Sequence, residues 1–148
     1  MKKKSLKYFV TICAGDALMY IKPIIMSSIK QLQQTLKLTF GIVPIVAGLD
    51  KFTNLLTNWV DYLNKALIPF DPLVFMKVVG VIEIIAGLIV LVRPLIGAYI
   101  VMAWLICIAL QLILGGHYFD VAVRDLVMAI GAYTLAQLTK IEQGSTAR

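Results

Sequence analysis

Acidic residues, histidine and clustered cysteine are all scarce in this chain. Eight of its 148 residues are Asp or Glu, one is His and two are Cys. The cysteines, Cys13 and Cys107, form no C-x-x-C pair, which removes a dithiol redox mechanism and a disulfide-stapled secreted module. His117 stands alone, so the chain offers neither a structural zinc site nor two histidines for a haem. Charged residues reach only 15%, well under the roughly 25% of a soluble domain. That excludes a disordered linker. It also argues against a nucleic-acid partner, despite a net charge of +6.

What is present in quantity is apolar. Hydrophobic residues make up 60% and mean hydropathy is +0.89, more apolar surface than a soluble domain of this length can bury. Four stretches are long enough for a hydrocarbon core of about 30 Å. They run from about Leu38 to Thr57, Leu73 to Val92, Leu95 to Leu114 and Val121 to Leu138. Each must be helical, because lipid offers no partner to an unpaired amide. The connections are short: Asn58 to Pro72 with Trp59 and Tyr62 at belt positions, the corner Arg93-Pro94, and Gly115 to Asp120. Short links predict an all-α membrane protein built as an antiparallel four-helix bundle over residues 36–140.

Lysines set the expected orientation. Lys2, Lys3, Lys4, Lys7, Lys22, Lys30 and Lys37 crowd the start of the chain, half of its 14 basic residues. A cytoplasmic N-terminus and four spans return the C-terminal tail, 141–148, to the cytoplasm with Arg93, Lys140 and Arg148. The outer loops then hold Lys65 beside Asp61, Asp71, His117 and Asp120. A bacterial inner membrane is the expected location. Residues 1–35 read as a basic amphipathic segment on the cytoplasmic surface. A poor fifth span or a processed leader over residues 8–29 are the other arrangements, with Asp16 interrupting the apolar run Tyr8 to Ile21.

Charges within the spans are the most informative residues, since each is costly if it faces lipid. Steps of three and four align Gly41, Pro44, Gly48 and Lys51, with Asp50 adjacent, on span one. They align Lys77, Gly80, Glu83 and Gly87 on span two, and Trp104, Cys107 and Gln111 on span three. On span four Arg124 aligns with Gly131, beside Asp125, Ala129, Ala132 and Ala136. Gly41, Gly48, Gly80, Gly87 and Gly131 predict close helix packing. The charges sharing those stripes are then expected inside: Asp50, Lys51, Lys77, Glu83, Arg124 and Asp125, three of each sign. Two roles fit this network. One is an internal clamp fixing helix register. The other is an outward-opening pocket centred on Glu83, near Gln111, Asp120, His117, Tyr118 and Phe119, holding a ligand or relaying protons. Gly115-Gly116 reads as a turn needing positive φ.

Three segments resemble the DoxX-like membrane proteins: Gly41-Ile-Val-Pro-Ile-Val-Ala-Gly48-Leu-Asp-Lys51-Phe52, Val79-Gly80-Val-Ile-Glu83-Ile-Ile-Ala-Gly87, and Phe119-Asp120-Val-Ala-Val-Arg124-Asp125 through Ala132. The resemblance covers residues 36–140 and departs at Lys37, where such proteins often carry Arg. It implies a four-helix membrane fold with signature residues Gly48, Lys51, Gly80, Glu83, Gly87, Arg124 and Asp125. It also implies association with a quinone-linked or oxidative-stress redox complex, while distant relatives look like membrane chaperones or cargo receptors. The resulting expectation is a small subunit or anchor of a membrane redox complex, with quinone as the one conceivable cofactor. A non-catalytic assembly or structural subunit is the alternative. The expected partners are the bilayer and either another membrane protein or further copies of the chain. A transporter is disfavoured by the lack of repeats and broken helices.

Overall fold

The computed structural model describes the backbone of residues 2–63 and 71–146, and the side chains of 21, 23–63 and 71–144. Its elements are α1 (Lys2–Thr53), a short 3-10 turn (Trp59–Tyr62), α2 (Pro72–Val92), α3 (Pro94–Gly115) and α4 (Phe119–Thr146). All four helices contain stretches long and apolar enough to cross a membrane, Pro23–Thr53, Pro72–Val92, Pro94–Gly115 and Phe119–Gly144.

Local chemistry explains where the helices begin and stop. Asp71 caps α2, its carboxylate accepting from Leu73 N at 2.8 Å, and Pro72 fills the first helical position. A single residue, Arg93, separates α2 from α3; its backbone, φ −132° and ψ 78°, has left the helical region that the following Pro94 disfavours. Gly116 closes α3 at φ 71°. The expected left-handed turn is therefore found at Gly116, while Gly115 is the last residue of the helix. Beyond Thr53 the chain turns at Asn54, φ 50°.

Three expected boundaries move. The first span was expected to reach Thr57, but α1 ends at Thr53 because the Asp50 carboxylate captures the amides that follow. The helix also runs unbroken across 35/36, where a separate surface segment was expected to end. α4 continues as helix past Leu138, where the fourth span was expected to end, to Thr146.

Helix α1 packs mainly on α2 and α3 mainly on α4, with lesser α2–α3 and α1–α4 contacts closing the bundle. The α1–α2 seam depends on missing side chains. A Cβ on Gly48 would sit 2.5 Å from the Gly80 carbonyl oxygen, and one on Gly87 2.5 Å from that of Gly41. Gly131 of α4 admits the Phe40 ring, and Gly97 lets α3 turn against Val90. The α3–α4 side uses alanines instead: Ala98, Ala109, Ala122, Ala129, Ala132 and Ala136 are all buried. Such small residues bring helices close enough for dispersion contacts to hold them where no hydrophobic effect operates. The outer faces carry exposed Leu, Ile and Val throughout, as lipid-facing helices require.

Candidate functional site

The polar interior gathers at the end of the bundle roofed by the 3-10 turn. Lys51 lies on the buried stripe of α1 and Glu83 on that of α2, and their side chains meet in an ion pair at 2.6 Å. Both are nearly inaccessible, at 4% and 9% exposure. The pair sits just beside the Gly48–Gly80 approach, where the two backbones are close enough for these side chains to join. Moving a lone charge into such surroundings would cost several kcal/mol, so each ion depends on the other.

Trp59 covers this pair and links it to Asp50. Its ring lies 3.9 Å from the Lys51 ammonium, while its Nε1 donates to Asp50 Oδ2 at 2.7 Å. The other carboxylate oxygen of Asp50 accepts from Leu55 N at 3.0 Å, Leu56 N at 3.1 Å and the Thr53 hydroxyl at 3.3 Å. Asp50 is therefore held by hydrogen bonds rather than by a cation, and it folds the chain after α1 back over the bundle. Above it the Trp59 and Tyr62 rings are 6.1 Å apart, and Tyr62 lies 4.4 Å from Tyr118. Gln111 of α3 ties this roof down by donating to the Tyr62 carbonyl at 3.2 Å.

Asp125 is half-buried on the α4 stripe Ala122, Asp125, Ala129, Ala132, Ala136, and interacts electrostatically with Arg124, Glu83 and Lys51. Four of the six residues expected inside are thus together or adjoining: Asp50, Lys51, Glu83 and Asp125.

Lys77 and Arg124 are corrections to that expectation. Lys77 is exposed. Two successive steps of three residues separate it from Glu83, which rotates it about 120° around the helix, out of the seam. Arg124 is also exposed, with Asp120 as its ion-pair partner among the described residues at 4.0 Å, both side chains more than 70% accessible. One position from Asp125 is about 100° of rotation, enough to turn it outward. The neutral six-charge network reduces to one ion pair, one hydrogen-bonded carboxylate and one neighbouring carboxylate.

The expected outer pocket divides similarly. Tyr118 and Gln111 meet through Tyr62, whereas His117 and Asp120 are exposed and outside the cluster. Phe119 is exposed as well. On α3, Cys107 is exposed rather than aligned inward with Gln111, and the Trp104 Nε1 is buried without a hydrogen-bond partner. Among the described residues no three His, Cys, Asp or Glu side chains converge as metal ligands would.

Two parts of the polar interior escaped sequence reasoning. Trp59 and Tyr62 read as belt aromatics; the sign that they fold inward was Asp50, a carboxylate only nine residues before an indole. At the opposite end, Gln33 donates to the Thr139 hydroxyl at 3.3 Å inside the bundle, while at its surface Lys140 donates to the Tyr99 hydroxyl at 2.8 Å. Neutral polar residues among helix formers gave little signal. No family model, curated protein or solved structure matches the chain.

Proposed function

We infer that the chain is a multi-pass integral membrane protein whose interior charges clamp the helices. Its role in this reading is that of a small anchor or subunit in a larger membrane complex. The observation that carries it is the Lys51–Glu83 pair: each ion is satisfied by the other and roofed by Trp59, so the cluster is spent on holding α1 to α2. What remains for interaction is the apolar exterior. The seam register supports an antiparallel bundle, since Gly41 meets Gly87 while the later Gly48 meets the earlier Gly80. The proposed orientation, with both termini cytoplasmic in a bacterial inner membrane, rests on the lysines of the N-terminal third and on Arg93 and Lys140 at the same end.

The resemblance to DoxX-like proteins rests on motif positions alone; of its signature residues, Lys51 and Glu83 pair with each other, and Gly48, Gly80 and Gly87 line the α1–α2 seam. On that resemblance the partner is a quinone-linked or oxidative-stress redox complex, which would supply the electron carriers. The closed ion pair equally suits a non-catalytic assembly subunit.

The test is native purification in mild detergent, with mass spectrometry of co-eluting proteins and solvent extraction for quinone. A stoichiometric redox enzyme supports the first reading, and a different large membrane complex supports the second. A monodisperse lone chain free of partner and quinone contradicts both.

A further inference from the structure

The charge of this protein is distributed unevenly along its length. Residues 1–49 contain seven lysines and one acid, Asp16, whereas residues 50–148 contain seven bases and seven acids. The whole surplus of +6 therefore lies on α1. The fold adds to that asymmetry, because the end of the bundle marked by the Gln33–Thr139 bond gathers Lys30 and Lys37 of α1, Arg93 of the α2–α3 corner and Lys140 of α4. Glu142 is the acid that α4 brings to this end. Among the described residues, the opposite end exposes Asp61, Asp71 and Asp120 against Lys77 and Arg124.

Helix α1 also continues past the bundle. Gln33 is its first buried residue among those described, and the turns before it leave Ile24, Ile25 and Leu32 half or more exposed, at 67%, 50% and 51%. At 100° per residue, Ile25 and Leu32 share one side of the helix, while Lys30, Gln34 and Lys37 lie on the other. An apolar stripe backed by lysines cannot rest in water. Its cationic side would also repel the same side of a second copy. Anionic phospholipid answers both demands, with acyl chains for the stripe and phosphates for the cations.

We propose that this end of the bundle, from Ile21 to Lys37 with Arg93 beside it, is a docking surface for the headgroup layer of an anionic leaflet. The proposal rests on the membrane reading above and adds the lipid class that the surface selects. The isoleucine and leucine stripe lies at the acyl boundary, and Lys30, Lys37 and Arg93 contact phosphate.

The experiment places nitroxides at Ile25→Cys, Leu32→Cys, Ser27→Cys and Gln34→Cys in full-length protein lacking Cys13 and Cys107. Each is reconstituted in nanodiscs of phosphatidylcholine alone or with added phosphatidylglycerol. With phosphatidylglycerol, positions 25 and 32 should become oxygen-accessible and shielded from an aqueous nickel chelate, while 27 and 34 remain open to it. Pure phosphatidylcholine, or high salt, should weaken that contrast. The variants Lys30→Gln and Arg93→Gln should each lower preference for phosphatidylglycerol about fivefold. Equal contrast in both lipids, no contrast in either, or spin–spin broadening from a second copy would overturn the proposal. Failure to enter nanodiscs of either composition would instead overturn the membrane reading.

Discussion

The two ends of this bundle solve the same problem with different chemistry. At the roofed end, Lys51 and Glu83 form an ion pair at 2.6 Å, covered by an indole that also engages Asp50. At the other end, Gln33 meets Thr139 through neutral groups at 3.3 Å, and the Thr139 hydroxyl donates onward to the Leu135 carbonyl. Ions in such surroundings depend on each other, so removing one strands its partner. A neutral hydrogen bond between membrane helices contributes far less, about 0.6 kcal/mol on average. The difference is that the charged end fixes register strictly, while the neutral end tolerates change. Between them, glycine and alanine seams set how closely the helices approach.

Several variants would break or sharpen this contrast. Outside the ion pair itself, the largest effect is expected from Gly48→Leu, which places a branched side chain against the Gly80 carbonyl and should separate α1 from α2 beside the ion pair. A loss of more than about 3 kcal/mol, read by unfolding in mixed detergent micelles, is the expected outcome. Asp50→Ala comes next. It frees the Leu55 and Leu56 amides and the Trp59 indole, and should cost about 2 kcal/mol. Trp59 fluorescence should shift to the red as its ring leaves Lys51.

Gln33→Ala should cost no more than about 1 kcal/mol, because Thr139 keeps its own bond to Leu135. A loss equal to that of Asp50→Ala would remove the distinction between the ends. Smallest of all is Arg124→Ala, whose ion pair with Asp120 is exposed and stretched to 4.0 Å. A melting temperature within a degree or two of wild type is expected, matching a change below about 0.5 kcal/mol.

The spans were legible in the sequence because length and hydropathy are one-dimensional properties. The seam glycines were legible too, since Gly41 and Gly48 lie seven residues apart, about 20° short of two turns, as do Gly80 and Gly87. Which charges turn inward was only half legible. A step of three or four residues keeps neighbours on a common face, but the drift accumulates: Lys77 is close to Gly80, and Gly80 to Glu83, yet Lys77 and Glu83 diverge. The same rule explains why Asp125 stays inward and Arg124 does not. The Trp59 roof depends on a chain reversal after α1 that no periodicity encodes. It becomes predictable only once the Asp50 carboxylate is seen to accept from the amides just beyond the helix.

The most direct test of the clamp is a double-mutant cycle at Lys51 and Glu83, measured as unfolding free energy in detergent. Lys51→Met and Glu83→Leu should each cost about 3–5 kcal/mol alone, because each leaves a buried ion without its partner. The double variant should recover to within about 1 kcal/mol of wild type, since an apolar pair of similar volume fills the same space. Single variants as stable as wild type, or losses that simply add in the double variant, would contradict the account.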